Sequence, residues 1–370
     1  MMLEVVSQGF VHRRDPAAPR RVAAGPRCAV LPDGELLCSF MIQSGLGVND
    51  FVPVLARSAP DWEAWSEPAP LFPHLAGTQS LFGAIGPGRP GEHFVYGIRI
   101  PIDAPGESFW TEATQGMKQN ALFWSRSPDG GRTWTEPADI PLDGPGSAEA
   151  PCALTVTRGG RWIACYAPYN TFDPGERVDR GRVVVALSDS EGAAWRHRDA
   201  LRFAEPDSGG AEAWVIELSG GELLATAWHV DHSARRHYPN AYAMSSDGGE
   251  TWSPTRSTGI QGQSTALAAL PGGRALLIYN QRKHGRPGVY LAVVKPTPES
   301  FGVEHDQMIW AAPSATQHAT SADHSEWTDF SFGEPHVTIL PDGTLFAVFW
   351  CIEGAESGIR YVRLKAAGLG

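Results

Sequence analysis

Two glutamates occupy matching places in this sequence. Glu212 lies nine residues before Gly221, and Glu334 nine before Gly343; each glycine separates two short apolar runs. Trp214 and His336 stand seven residues before the same two glycines. In a third copy of the pattern Arg27 lies seven residues before Gly34, and Gly25 takes the place of the glutamates. Two carboxyl groups facing one pocket are what glycosidic cleavage requires. One protonates the leaving oxygen, and the other attacks carbon or activates water. The alternative for each glutamate is structural, a carboxylate that caps a turn or pairs with an arginine.

A second group of residues follows the apolar run that ends at Trp228. It comprises His229, Asp231 and His232, then Arg235, Arg236, His237 and Tyr238. A histidine, a tyrosine and an arginine set around a uronate can remove its C5 proton, with the arginine stabilising the enolate-like carboxylate. His336 is a further candidate base. The other reading of this group is a loop that packs over a rim. His229, Asp231 and His232 lack helical i, i+4 spacing and have no cysteine nearby, so no metal site and no cofactor is expected. Arg99 follows an apolar run and offers a guanidinium for substrate contact. Tyr166, Tyr169, Trp228 and Trp350 offer faces on which a sugar ring can stack, with core packing as the alternative.

The elements that must position these residues repeat along the chain. Two apolar runs flank Asp-Gly or Gly-Gly in Cys28–Cys38, Val215–Ala225, Leu267–Leu277 and Val337–Ala347, with a looser copy in Leu154–Ala164. Such a turn needs φ > 0, which glycine adopts without steric cost, so each copy predicts a β-hairpin. A second motif, S-x-D-x-G-x-T-W, fits Ser127–Trp134 and Ser245–Trp252; Ser188–Trp195 is a degraded copy and Ser58–Trp65 a poorer one. Its aspartate is expected to cap the turn, its glycine to take the left-handed position and its tryptophan to pack between strands. Six repeats can be laid out, starting near Arg27, Thr78, Glu149, Glu212, Gln263 and Glu334. The sixth is short, and Leu3–His12 is expected to supply its missing outer strand, which would join the two ends of the chain and remove open sheet edges. The longest irregular stretches are 101–119, 168–180 and 311–330.

The 370 residues suit such an all-β ring as one domain, 1–370. Hydrophobic residues make up 42% and charged residues 19%, with Gly 41, Pro 30 and Trp 13, a mix that fits many short strands and tight turns. A net charge of −11 without a long basic run argues against nucleic acid as a partner. The five cysteines are odd in number, lie mostly in apolar runs and form no CxxC pair, which predicts buried thiols in a reducing compartment. No basic-then-apolar leader and no apolar stretch near ~20 residues is visible, so a cytoplasmic location away from membranes is expected.

The S-x-D-x-G-x-T-W motif is the Asp box, also called the BNR repeat, and with the hairpins it resembles the six-bladed propellers of the sialidase superfamily. The resemblance implies that Arg27 opens blade one and that Asp50, in the loop after it, is a general acid/base. Glu212–Leu224 is similar to the glutamate-bearing segment of blade four, and Arg286 to a later substrate-binding arginine. Two positions depart from the exo-sialidase pattern: Trp228 stands where an arginine is expected, and Glu334 where the tyrosine nucleophile is expected. The chemistry implied is that of an exo-acting glycoside hydrolase taking a terminal, anionic sugar from a small glycoside or oligosaccharide. Asp50, Glu212, Glu334 and His336 would be catalytic. Arg27, Arg99, Trp228, His229, Tyr238 and Arg286 would contact substrate. A uronate lyase and a non-catalytic carbohydrate-binding propeller are the two alternatives.

Overall fold

The structure is a computed structural model that describes residues 2–233, 236–313 and 331–366. It is all-β, and its six main sheets are the blades of a β-propeller. Blade one runs from Val22–Val30 at the centre through Leu36–Gln43 and Val52–Arg57 to Ala69–Pro70 at the edge. Blade two is Gln79–Pro87, His93–Pro101, Ala121–Ser127 and Ala138–Ile140. Blade three has a broken inner strand, Ser147–Glu149 and Thr155–Val156, both pairing Trp162–Tyr169, followed by Arg182–Ser188 and Arg196–Arg202. Blade four is Ser208–Glu217, Leu223–Asp231, Ala241–Ser245 and Arg256–Ser257. Blade five is Thr265–Leu270, Arg274–Gln281, Gly288–Pro296 and Phe301–Ala311.

Blade six is closed as the short last repeat predicts. Phe332–Ile339, Leu345–Glu353 and Glu356–Ala366 come from the end of the chain, and Leu3–Arg13 pairs antiparallel with the last of them. Leu3 and Val11 point inward and are buried, while Val5 and Val6 remain exposed. The expected irregular stretch 311–330 lies largely outside the described residues.

Both full Asp boxes close as their residue types dictate. Asp129 Oδ1 accepts the Thr133 N–H at 2.9 Å and Oδ2 accepts the Thr133 hydroxyl at 2.6 Å; Asp247 makes the same two bonds to Thr251 at 2.9 and 2.6 Å. Gly131 and Gly249 are left-handed, and the Trp134 and Trp252 indoles donate to their carbonyls at 3.2 and 3.1 Å. In the degraded copy Ser190 replaces the aspartate and keeps one bond, accepting the Ala194 N–H at 3.0 Å. All five cysteines are buried and free.

The inner strands of blades one, four and six share an irregularity that the hairpin spacing only hinted at. Pairing jumps from Ala24↔Met41 to Arg27↔Ser39, from Ala211↔Trp228 to Trp214↔Thr226, and from Gly333↔Trp350 to His336↔Val348. Each jump places one extra residue on the inner strand, a β-bulge that re-aims side chains. The first residue inside each bulge is left-handed: Gly25 at φ 65°, Glu212 at φ 51° and Glu334 at φ 47°. Blades one and four therefore begin at Val22 and Ser208, earlier than the expected Arg27 and Glu212, because the strand resumes pairing on the far side of the bulge.

Candidate active site at the propeller mouth

All six blades contribute to one cavity of about 100 Å³. Its walls are mainly apolar: Met41, Phe51, Phe82, Ile98, Trp228 and Trp350 stand around it. Phe109 and Met117 reach in from the long loop after the second strand of blade two, which folds into a small ladder of Trp110–Thr111 against Gly116–Met117. Among the described residues, the charged groups in the lining are Glu149, Glu212, Glu334 and Arg282.

The two bulges deliver Glu212 and Glu334 to this cavity. A non-glycine residue in the left-handed region is strained by ~1–2 kcal/mol, and such strain concentrates at functional sites. Glu149 helps to hold it: its Oε2 accepts the Glu212 N–H at 2.9 Å. The three carboxyls touch the cavity yet are enclosed by the ring, and burial raises the pKa of all three. Glu212 is pushed up to about 7, first by burial and then by the charge of Glu334. Glu149 is also raised by burial and then by Glu212. Burial raises Glu334 too, but Arg27, Arg282, the Trp350 side chain and the Gly25 N–H all favour its ionised form. Glu212 Oε2 has no hydrogen-bond partner among the described residues.

Arg27 lies behind the cavity wall and is buried. Its Nε donates to the Pro151 carbonyl at 3.0 Å, and its Nη1 to those of Pro26 at 2.8 Å and Glu334 at 3.1 Å, tying blades one, three and six together. His336 is also behind the wall. Its Nδ1 accepts the Cys28 N–H at 3.3 Å, its ring stacks on Trp214, and burial lowers its pKa to about 3, so it is a neutral structural acceptor and not a base facing the cavity.

Several expected site residues lie elsewhere. Asp50 lines no part of the cavity; its Oδ1 accepts the Ser44 N–H at 3.0 Å and so closes its own loop. Arg99 points outward to Asp139 on the edge strand, with a 2.6 Å bond to Oδ2, because side chains alternate along a strand and this one falls on the outer face. Arg286 is exposed at the tip of a turn, and its carbonyl accepts the Tyr290 hydroxyl at 2.8 Å. His229 and Tyr238 stack on each other at 4.1 Å, with Phe203 on the other side of the histidine at 4.6 Å. They form rim packing; Arg235 lies outside the described residues, and among the described residues no His/Tyr/Arg set of the kind a lyase needs lines the cavity. Trp228 is in the cavity wall.

Two charged lining residues were missed. Arg282 directly follows the second strand of blade five and lies beside Glu212 and Glu334, in the part of the site where Arg286 was expected. Glu149 escaped because it stands eleven residues before Gly160, not nine. The break in the inner strand of blade three takes up the difference.

Known proteins share this architecture. A protein of unknown function from Dyadobacter fermentans is 18% identical, with a TM-score of 0.76 and 99% of each chain covered. The NanB sialidase of Streptococcus pneumoniae is 15% identical, with a TM-score of 0.65 over 98% of this chain and 71% of that one. An intramolecular trans-sialidase from Ruminococcus gnavus is 14% identical, with a TM-score of 0.62 over 98% and 97%. No curated protein matches in sequence. The BNR repeat-like domain matches residues 109–347, more than half of the chain. With its Asp boxes and its six blades, the chain belongs to the BNR repeat-like family and has the propeller fold that the sialidases share.

Proposed function

We propose that this protein is a glycoside hydrolase that cleaves a terminal sugar with Glu212 and Glu334 as its carboxyl pair. The observation that carries the proposal is their placement on equivalent bulges, facing one cavity: Arg27 and Arg282 lie near both, but the charge of Glu334 raises Glu212 while the Trp350 side chain and the Gly25 N–H favour ionised Glu334. Pairs of titratable groups held in different environments are how a site separates acid from base. Glu212, with a pKa near 7, keeps its proton into the neutral range and donates it to the glycosidic oxygen as the C1–O bond breaks and its electron pair passes to that oxygen. Glu334, with two guanidinium groups beside it, supplies the carboxylate that attacks C1 or takes a proton from the attacking water. After attack by Glu334, water displaces it from C1 and gives its proton to Glu212; where Glu334 instead takes the water's proton, the hydroxyl goes to C1 directly and proton exchange with solvent returns both carboxyls to their starting states, so the net reaction is hydrolysis in either case. All six blades surround the cavity, which favours the end of a chain over its middle.

The test is turnover of a panel of 4-nitrophenyl and alkyl glycosides by wild type, Glu212→Gln and Glu334→Gln. Wild-type kcat/KM should fall as pH rises through about 7, since Glu212 must be protonated to act. Each variant should lose on the order of 10²-fold or more on alkyl glycosides. Glu212→Gln should lose less on the 4-nitrophenyl leaving group, which needs little protonation. Failure to turn over any glycoside, or full activity in Glu212→Gln, overturns the proposal.

A further inference from the structure

The balance of charge in the cavity bears on which sugar enters it. Glu149, Glu212 and Glu334 line the space together with one described cation, Arg282. The second guanidinium nearby, Arg27, is behind the wall and gives its Nε and Nη1 to three backbone carbonyls. Arg282 Nη1 points to the Phe332 carbonyl at 3.4 Å, and its charge lies beside Glu212 and Glu334. Lys283 Nζ lies over the Trp228 ring, 5.9 Å from its centroid. A sugar carboxylate is held by guanidinium forks offered bidentately, whereas here it would face three carboxyl groups and add its charge beside that of Glu334, raising still further the cost of ionising Glu149 and Glu212.

The unmet need in the cavity is of the opposite kind. Glu212 Oε2 is an enclosed acceptor with no donor among the described residues, and a buried acceptor left unpaired costs ~1–3 kcal/mol. Sugar hydroxyls are donors, and Trp228 and Trp350 give the apolar faces on which a ring without charge packs. We infer that the cavity binds an uncharged sugar residue through its hydroxyl groups and rejects sugars that carry a carboxylate. The inference shares the location of the proposed hydrolytic site but is tested by binding alone.

Calorimetric titration of wild type with neutral methyl pyranosides and furanosides, and with the matching uronides and N-acetylneuraminic acid, decides it. At least one neutral glycoside should bind saturably, and its uronide at least tenfold more weakly. Glu212→Gln, which keeps the shape and cannot ionise, should narrow that ratio at pH 8, where the wild-type carboxyl is charged, and leave it nearly unchanged at pH 6. Tighter binding of a uronide or of N-acetylneuraminic acid than of every neutral sugar overturns the inference, as does binding of no neutral sugar. Neutral binding without turnover leaves the inference standing and removes the hydrolase proposal.

Discussion

Glu212 works under two burdens, a left-handed backbone and a buried carboxyl, and both act on stability. Its pKa rises from the ordinary 4.5 to about 7 on folding, so the folded chain holds a proton that the unfolded chain releases. That contribution is fully present below the ordinary carboxylate range and is lost as pH rises through about 7. Above pH 7 the ionised group is a liability that a glutamine does not share. Glu212→Gln should therefore melt a few degrees above wild type at pH 8, with the difference shrinking toward pH 5, as followed by calorimetry. A variant that melts lower at pH 8 would mean that the buried charge is better accommodated than its surroundings imply. Functional residues that carry strain commonly show this exchange of activity for stability. The hairpin glycines made Glu212 and Glu334 legible in sequence because a bulge inserts one residue at a fixed distance from its turn. Asp50, Arg99 and Arg286 were misplaced because proximity in sequence to a rim does not say which face of a strand, or which side of a turn, a side chain takes.

At the scale of the element, the Asp boxes were legible almost to the bond, since each is closed within eight residues by contacts that depend on no other part of the chain. Asp129 and Asp247 are held down to about 2, chiefly by the hydroxyl and N–H of Thr133 and Thr251. A depressed carboxyl contributes stability above its ordinary pKa and loses it as pH falls through the folded value. Asp247→Asn keeps one acceptor and loses the charge, so it should destabilise by about 1 kcal/mol at pH 7 in denaturant titrations. The gap should close as pH approaches 2, where the wild-type aspartate is itself protonated. An unchanged gap would place the effect in shape and not in charge. The loop that carries Phe109 and Met117 was legible only as irregular, because it has neither period nor repeat. It is built by pairing within the loop and by contacts to the segment near Asn170, and none of these leaves a local pattern.

For the whole molecule, the decisive fact is that sheet six is assembled from both ends of the chain. Shortness of the last repeat predicted this, since a ring with one incomplete blade leaves an unpaired edge along Glu356–Ala366. The joining strand carries more than hydrogen bonds. Leu3 and Val11 are buried, worth ~1.5–3 kcal/mol each for full burial, and the Gln307 side chain clasps the Leu3 backbone through bonds of 3.0 and 2.8 Å, linking blade six to blade five. Removing residues 2–14 should lower the melting temperature and cause association that grows with protein concentration, as read by calorimetry and light scattering. The exposed edge is also a template for its own missing strand. A synthetic peptide of residues 2–14 should therefore restore both melting temperature and monodispersity, whereas one with aspartate at positions 3 and 11 should not. A truncated chain that melts like wild type would show that the strand decorates the ring without closing it. If closure does hold the ring, its effect reaches the cavity, because the strand braces the sheet whose inner edge carries Glu334. The peptide should then restore binding of a neutral sugar in the same titration that restores stability.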